Sequence, residues 1–194
     1  KIAMDRSQPA IVRATAQSLL VSYELYGSSA AIEQGLRDPH PLVRIGALRG
    51  AQRWAAGARW QLTKHLLEDE TLAVRIEAVR GLVSAVPDLS EAERKALHPY
   101  IEKYLRSLSF NADVPEGQSE LARVYMALHD TTAAEDALKT SLQLNPKWVP
   151  GLVNLADLYR GTGRDDKGGA LLDQALRLTP ESSDVLLSKA LWLV

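Results

Sequence analysis

The sequence predicts an all-α repeat fold, a right-handed solenoid of about eleven helices, and three observations point to it. Short motifs recur at an offset of 31 residues in the first half of the chain. Different motifs recur at an offset of 34 in the second half. Within each copy the apolar residues follow helical rather than alternating spacing. A chain of 194 residues, 46% hydrophobic and 24% charged, has apolar material for a folded core and lies far from the composition of a disordered segment.

In the first half, Val12-Arg13-x-x-Ala16 recurs as Val43-Arg44-x-x-Ala47 and as Val74-Arg75-x-x-Ala78. The second and third copies also share Asp38 with Asp69, Ile45 with Ile76, and Arg49-Gly50 with Arg80-Gly81. Each copy opens a helix: Leu42, Val43, Ile45, Ala47, Leu48 and Ala51 fall on one broad face. In front of it, Asp38-Pro39-His40-Pro41 supplies a turn, an acidic helix start and a proline at the first helical position. Shorter helices are expected around 29–37 and 58–68. The unit is thus a helical hairpin that cannot bury its apolar face alone and must stack on its neighbours.

These residues resemble the short bacterial kind of HEAT-like repeat, whose D-P-x-P-x-V-R pattern is matched by Asp38, Pro39, Pro41, Val43 and Arg44. The resemblance implies that this helix lines the concave side of a solenoid. The third copy keeps Asp69, Val74 and Arg75 without the prolines, and the first has Ser7 where the others have aspartate. Two readings of Arg13, Arg44 and Arg75 stand side by side. One is a structural ladder in which Arg44 and Arg75 meet Asp38 and Asp69 or helix-end carbonyls. The other is a basic stripe, joined by Arg49, Arg53 and Arg80, that grips phosphate or an acidic peptide. Residues 1–89 carry only a +2 balance and the whole chain −1. That is weak support for a phosphate-binding surface, so nucleic acid is not the expected partner.

In the second half, Leu121-Ala122-x-x-Tyr125 recurs as Leu155-Ala156-x-x-Tyr159. Ala134 is matched by Gly168, Leu138 by Leu172, Ser141 by Ala175, and Pro146 by Pro180. A large, a small and an aromatic residue share one face, and the proline stops the second helix. These spacings resemble tetratricopeptide (TPR) repeats at 115–148 and 149–182, with 183–194 similar to the first helix of a third copy through Leu186, Ala190 and Leu193. Gln118 and Lys189 depart from the family pattern, where large apolar residues are usual.

Between the arrays, Pro87-Asp88-Leu89 makes a turn, and Ser90 with Glu93 forms a capping box. The helix it opens is expected to run to about Phe110 with Pro99 a kink or restart. The expected organisation is 1–89 HEAT-like repeats, 90–114 a connecting helix and 115–194 TPR repeats, in one continuous superhelix. Both ends fall within a repeat, which predicts that the chain is a piece of a longer protein.

The search for chemistry is mostly negative. Cysteine is absent, which removes disulfides, thiolate metal sites and thiol nucleophiles from these residues. The nucleophile-elbow, zinc-protease, phosphate-loop and calcium-loop patterns are missing. His40, His65, His98 and His129 lack ligand-like spacing, and Gly161-Thr162-Gly163 reads as an inter-helix turn. Neither an enzyme nor a metal or cofactor site is expected here. Trp54, Trp60, Trp148 and Trp192 are scattered through different units and read as core or groove-edge packing.

The TPR resemblance implies a groove for a protein or peptide partner on the inner face of the first helices. Its positions map to Glu116, Ser119, Glu120, Arg123 and Met126, then Val153, Asn154, Asp157 and Arg160, then Asp184 and Ser188. Glu120, Arg123, Asn154, Asp157 and Arg160 are the candidate partner-binding residues, with solvation of the face as the alternative role. Ser119 and Asp184 stand where the chaperone-binding type carries lysine, so an acidic chaperone tail is not the expected ligand. The order of elements (9–16, 38–47, then Asn111-Ala112-Asp113 before the TPR units) also resembles the C-terminal region of bacterial multihaem c-type cytochromes that carry TPR repeats. That resemblance implies a periplasmic docking or assembly module beside an upstream haem domain. The expected function is therefore non-catalytic protein–protein interaction.

Overall fold

The computed structural model describes residues 1–22 and 27–193; Val194, the last residue of the expected partial repeat, lies outside the described residues. Among the described residues there are eleven α-helices and no strand. The chain divides into two compact units, Lys1–Tyr104 and Leu105–Val194.

The first unit contains α1 (Ala10–Leu19), α2 (Ser28–Gly35), α3 (Pro41–Gly50), α4 (Ala56–Thr63), α5 (Leu72–Val83) and most of α6 (Glu91–Ser109). The helices that carry the recurring motif lie side by side, α1 on α3 and α3 on α5. Val43, Ala47, Val74 and Ala78 are fully buried there, while Val12 in α1 stays half-exposed. Pro41 is the first residue of α3, and the His40 ring accepts the Leu42 N–H. The α6 capping box forms as expected, with Ser90 N–H donating to Glu93 Oε2 (3.0 Å) and Glu93 N–H to Ser90 Oγ (3.3 Å). Pro99 sits inside a single helix rather than at a break between two.

Glycine sets the spacing of α3. A Cβ at Gly46 would overlap the Ala14 carbonyl, so α3 approaches the α1 backbone as closely as only glycine permits. The same position of α5 is Glu77, a buried carboxylate that accepts from Arg49 at 3.0 Å.

The ladder runs between repeats. Arg44 donates through NH1 to the carbonyls of Asp38 (2.8 Å) and Pro39 (3.1 Å), in its own repeat. Its other edge meets the Asp69 carboxylate of the next repeat, with Nε 2.8 Å from Oδ2 and NH2 2.9 Å from Oδ1. Arg13 pairs with the Asp38 carboxylate in the same register. Arg75 donates to the Asp69 and Glu70 carbonyls at 2.6 and 3.1 Å, and the residue 31 positions after Asp69 is Tyr100 rather than an acid. The carboxylate that an arginine meets is therefore that of the following repeat, and the nearer aspartate offers its carbonyl. Ser7 leaves Arg13 partnered for that reason, and Asp5 makes the corresponding turn two residues earlier by accepting the Ser7 N–H. Burial raises the Asp38 carboxyl, but Arg13 and the His40 N–H outweigh it and hold it below its ordinary value; Asp69 is held down likewise by Arg44 and the Thr71 N–H.

The second unit contains the end of α6, α7 (Pro115–Ala127), α8 (Thr131–Leu144), α9 (Val149–Gly161), α10 (Asp165–Leu178) and α11 (Ser183–Trp192). The recurring residues form its core: Leu121, Ala122, Ala134, Leu138, Leu155 and Tyr159 are buried together, with Tyr125 packed against them. The two hairpin turns are alike. His129 (φ 60°) and Gly163 (φ 68°), 34 residues apart, take the left-handed conformation, and the next N–H in each returns to a tyrosine carbonyl, Asp130 to Tyr125 and Arg164 to Tyr159. Glycine adopts this geometry without the penalty a Cβ brings.

Neighbouring repeats are joined at Glu135 on α8. Its carboxylate lies 2.8 Å from Lys139 Nζ, accepts from Arg164 at 2.6 Å and from the Tyr159 hydroxyl at 3.2 Å. The Arg164 guanidinium lies 4.8 Å from the Tyr159 ring centre. Lys139 and then Arg164 lower the Glu135 carboxyl to about 2. At the next junction Gly169 replaces that acid, and the Trp192 ring fills the space, its Nε1 donating to the Asp165 carbonyl at 2.9 Å. This accounts for Lys189, which stacks on Trp192 at 4.2 Å and pairs with Asp173 at 2.8 Å.

Two stability predictions arise here. Replacing His129 by glycine relieves the left-handed strain and is expected to raise stability by about 0.5–1 kcal/mol in urea unfolding, whereas Gly163→Ala is expected to lower it by a similar amount. Glu135 is depressed from 4.5 to about 2 in the fold, so its contribution is fully present above the unfolded value and is lost as pH falls through the folded one. The wild type is expected to lose about 1–2 kcal/mol across that window relative to Glu135→Gln, the exposure of Lys139 keeping the figure modest. Paired acid titrations of unfolding free energy check this.

Candidate functional site

The candidate residues lie on α7 and α9, the first helices of the two full repeats in the second unit. At three- and four-residue spacing, side chains of one helix share a face. Glu120 and Arg123 form a two-point pair on α7, Nε to Oε2 at 2.9 Å and NH2 to Oε1 at 2.7 Å. On α9, Arg160 Nε lies 4.0 Å from Asp157 Oδ1, beyond hydrogen-bond reach. Both arginines thus face carboxylates three residues earlier on their own helix.

Asn154 and Asp157 are brought together in an open cavity of about 340 Å³, lined also by Met126, Thr131, Leu158, Gly161 and Thr162. Glu120, Arg123 and Arg160 lie outside that lining. The Asn154 side chain is half-buried and, among the described residues, makes no hydrogen bond. Ser188 of α11 is buried and places its hydroxyl 3.4 Å from Asp157 Oδ2.

Ser119 on α7 is occupied by intramolecular bonds. Its hydroxyl accepts from Trp148 Nε1 at 2.9 Å and lies 3.2 Å from Ser141 Oγ, which in turn donates to the Pro115 carbonyl at 2.9 Å. The serine locks the start of α9 onto α7. Trp148 lies across Gly151, where a Cβ would crowd its ring. Trp60 is buried in the first unit, so packing roles account for Trp60, Trp148 and Trp192.

Helical spacing missed Thr131, Leu158, Gly161 and Thr162. Thr131 opens α8, and Gly161 and Thr162 close α9. The glycine–threonine turn was visible in the sequence, but nothing in a helical pattern says that a turn of one repeat edges a cavity under its neighbour.

Arg13 and Arg44 of the first unit are unavailable for such a role. The side chains of Arg13 and Arg44 are only 9% and 8% exposed and each meets a carboxylate, so they present no free charge to a phosphate. Among the described residues, no helix is long and apolar enough to cross a membrane.

Comparison with known proteins bears on these repeats. The tetratricopeptide repeat family model matches residues 149–182, the same 34 residues that the spacing marks off. A crystal structure of a thermophilic TPR protein from Thermus thermophilus is similar in fold, with a TM-score of 0.63 over 95% of this chain and 97% of that one, at 20% identity. No curated protein matches the chain. The structure predicts that Ser119→Ala, which unlatches Trp148, lowers stability by about 1 kcal/mol, with a loss of near-ultraviolet dichroism from the tryptophan as the readout. Residues 149–182 thus match the tetratricopeptide repeat model, and the chain has an all-α, solenoid-type fold.

Proposed function

We propose that the face formed by α7, α9 and α11 is a docking groove for a partner protein, and that the chain acts as a non-catalytic interaction scaffold. Glu120, Arg123, Asn154, Asp157 and Arg160 are its contact residues. The observation that carries this reading is the cavity in which Asn154 and Asp157 converge, with an amide that makes no hydrogen bond among the described residues. A buried or half-buried amide left so is a ready partner for a peptide backbone. The TPR match at 149–182 supports the same reading through the general habit of that family.

Affinity capture with the chain, beside an Arg123→Ala/Asn154→Ala/Asp157→Ala variant shown by circular dichroism to keep its helices, tests it. A specific partner retained by the wild type and weakened about tenfold or more in the variant is expected. Equal retention by both proteins would remove the groove assignment.

A second reading rests on the order of elements at 9–16, 38–47 and 111–113. On it the module docks beside an upstream haem domain of a periplasmic cytochrome. Cys-x-x-Cys-His motifs in the full-length gene product would support that reading, and their absence would end it.

A further inference from the structure

We propose that the cavity on α9 is a subsite for a cationic side chain, lysine or arginine, of the docked partner. This deepens the groove reading and rests on it. Three separate observations agree on the sign of the ligand.

The ionised side chain of this lining is an acceptor. Asp157 brings the carboxylate, and Asn154 beside it an amide that offers an oxygen as well as N–H donors. Thr162 donates its hydroxyl proton to the Leu158 carbonyl at 2.8 Å and already accepts from Arg164 Nε at 3.0 Å, so it adds no donor to the cavity. An ammonium or guanidinium group pairs with the Asp157 carboxylate and donates to the Asn154 oxygen, whereas a carboxylate or phosphate would face the Asp157 charge.

The backbone has the same polarity. Leu158, Gly161 and Thr162 stand at the C-terminal end of α9, and Met126 is in the last turn of α7. Helix C-termini carry partial negative charge and favour cations. The opposing end, at Thr131, is the start of α8, but its capping Asp130 already accepts the Ala133 N–H at 3.0 Å and offsets that positive end.

The surrounding face is net negative. At the groove positions its carboxylates are Glu116, Glu120, Asp157 and Asp184, against the cations Arg123 and Arg160. Arg123 is committed to Glu120, and Arg160 only approaches Asp157 at 4.0 Å. Met126 and Leu158 supply apolar wall for the methylene stem that a lysine or arginine buries behind its charge. A stem on thioether and leucine with a head on Asp157 uses the apolar and the charged parts of that lining together. This is the reverse of a groove that clamps an acidic tail.

The probes are four pools of uncharged, otherwise degenerate dodecapeptides carrying one central lysine, arginine, norleucine or glutamate. Each pool is titrated into the isotope-labelled chain while the backbone amides are followed by NMR. Lysine and arginine pools are expected to shift the amides of Asn154, Asp157, Gly161 and Thr162 in a saturable way. Added salt should weaken that binding, and Asp157→Asn should weaken it about fivefold or more while leaving the helical spectrum unchanged. Norleucine or glutamate pools that bind there as well as lysine would overturn the subsite and leave the groove standing. Lysine binding untouched by Asp157→Asn would overturn it too. If no pool shifts any amide of α7 or α9, both the subsite and the groove fall.

Discussion

The structure depends on one constraint: a two-helix repeat cannot satisfy its own interior, so each must be completed by side chains from the next. In the first unit an ion pair expresses this most directly. Arg44 holds the turn of its own repeat through backbone carbonyls and reaches the carboxylate of the following one, and Arg13 makes the same reach to Asp38. A guanidinium can do both because its donors fan out in a plane, enough for two carbonyls and a carboxylate together. Removing either partner leaves a buried charge without compensation, which costs far more than a surface pair would. The aspartates add a second task, since each caps the turn before its helix.

The second unit meets the same constraint by different means. Glu135 gathers Lys139, Arg164 and Tyr159 at one junction, and at the next a glycine admits the Trp192 ring where an acid would stand. Ser119 and Trp148 add a latch between α7 and α9. With these groups fixed by one another, α9 is held in a defined position, and the side chains left over at its C-terminal end can line a cavity rather than fold back onto their own helix. Position comes before recognition, because a groove on mobile helices would spend its binding energy on ordering itself.

Much of this was legible in the sequence. The two periods located the helices, the capping box at Ser90 and Glu93 formed as its spacing implied, and the buried Leu-Ala-x-x-Tyr faces are the core. The register of the arginine ladder was less legible: an arginine six residues after one aspartate and 25 before the next fits the same periodicity with either acid. Only the backbone shows that the nearer aspartate offers its carbonyl and the farther one its carboxylate. Ser119 was hidden for a similar reason, since helical register places it on the groove face while its partner Trp148 lies 29 residues away. The left-handed turn at His129 carried a signal in its 34-residue match to Gly163, but histidine does not announce that conformation. Thr131 opens α8 and Thr162 follows the end of α9, at helix ends that the facial spacing of a helix interior does not reach.

The fold puts charge to two different uses. Arg13 and Arg44 of the first unit are consumed in holding repeats together, while a carboxylate and an amide on α9 of the second are left facing a cavity. A double-mutant cycle at Arg44 and Asp69, read by urea unfolding, tests that separation most directly. If the pair is structural, each single change to alanine is strongly destabilising and the double change recovers a coupling of about 2–3 kcal/mol. Additive, small effects would contradict it, return Arg44 to the surface as a free cation, and make the first unit the place to look for the partner.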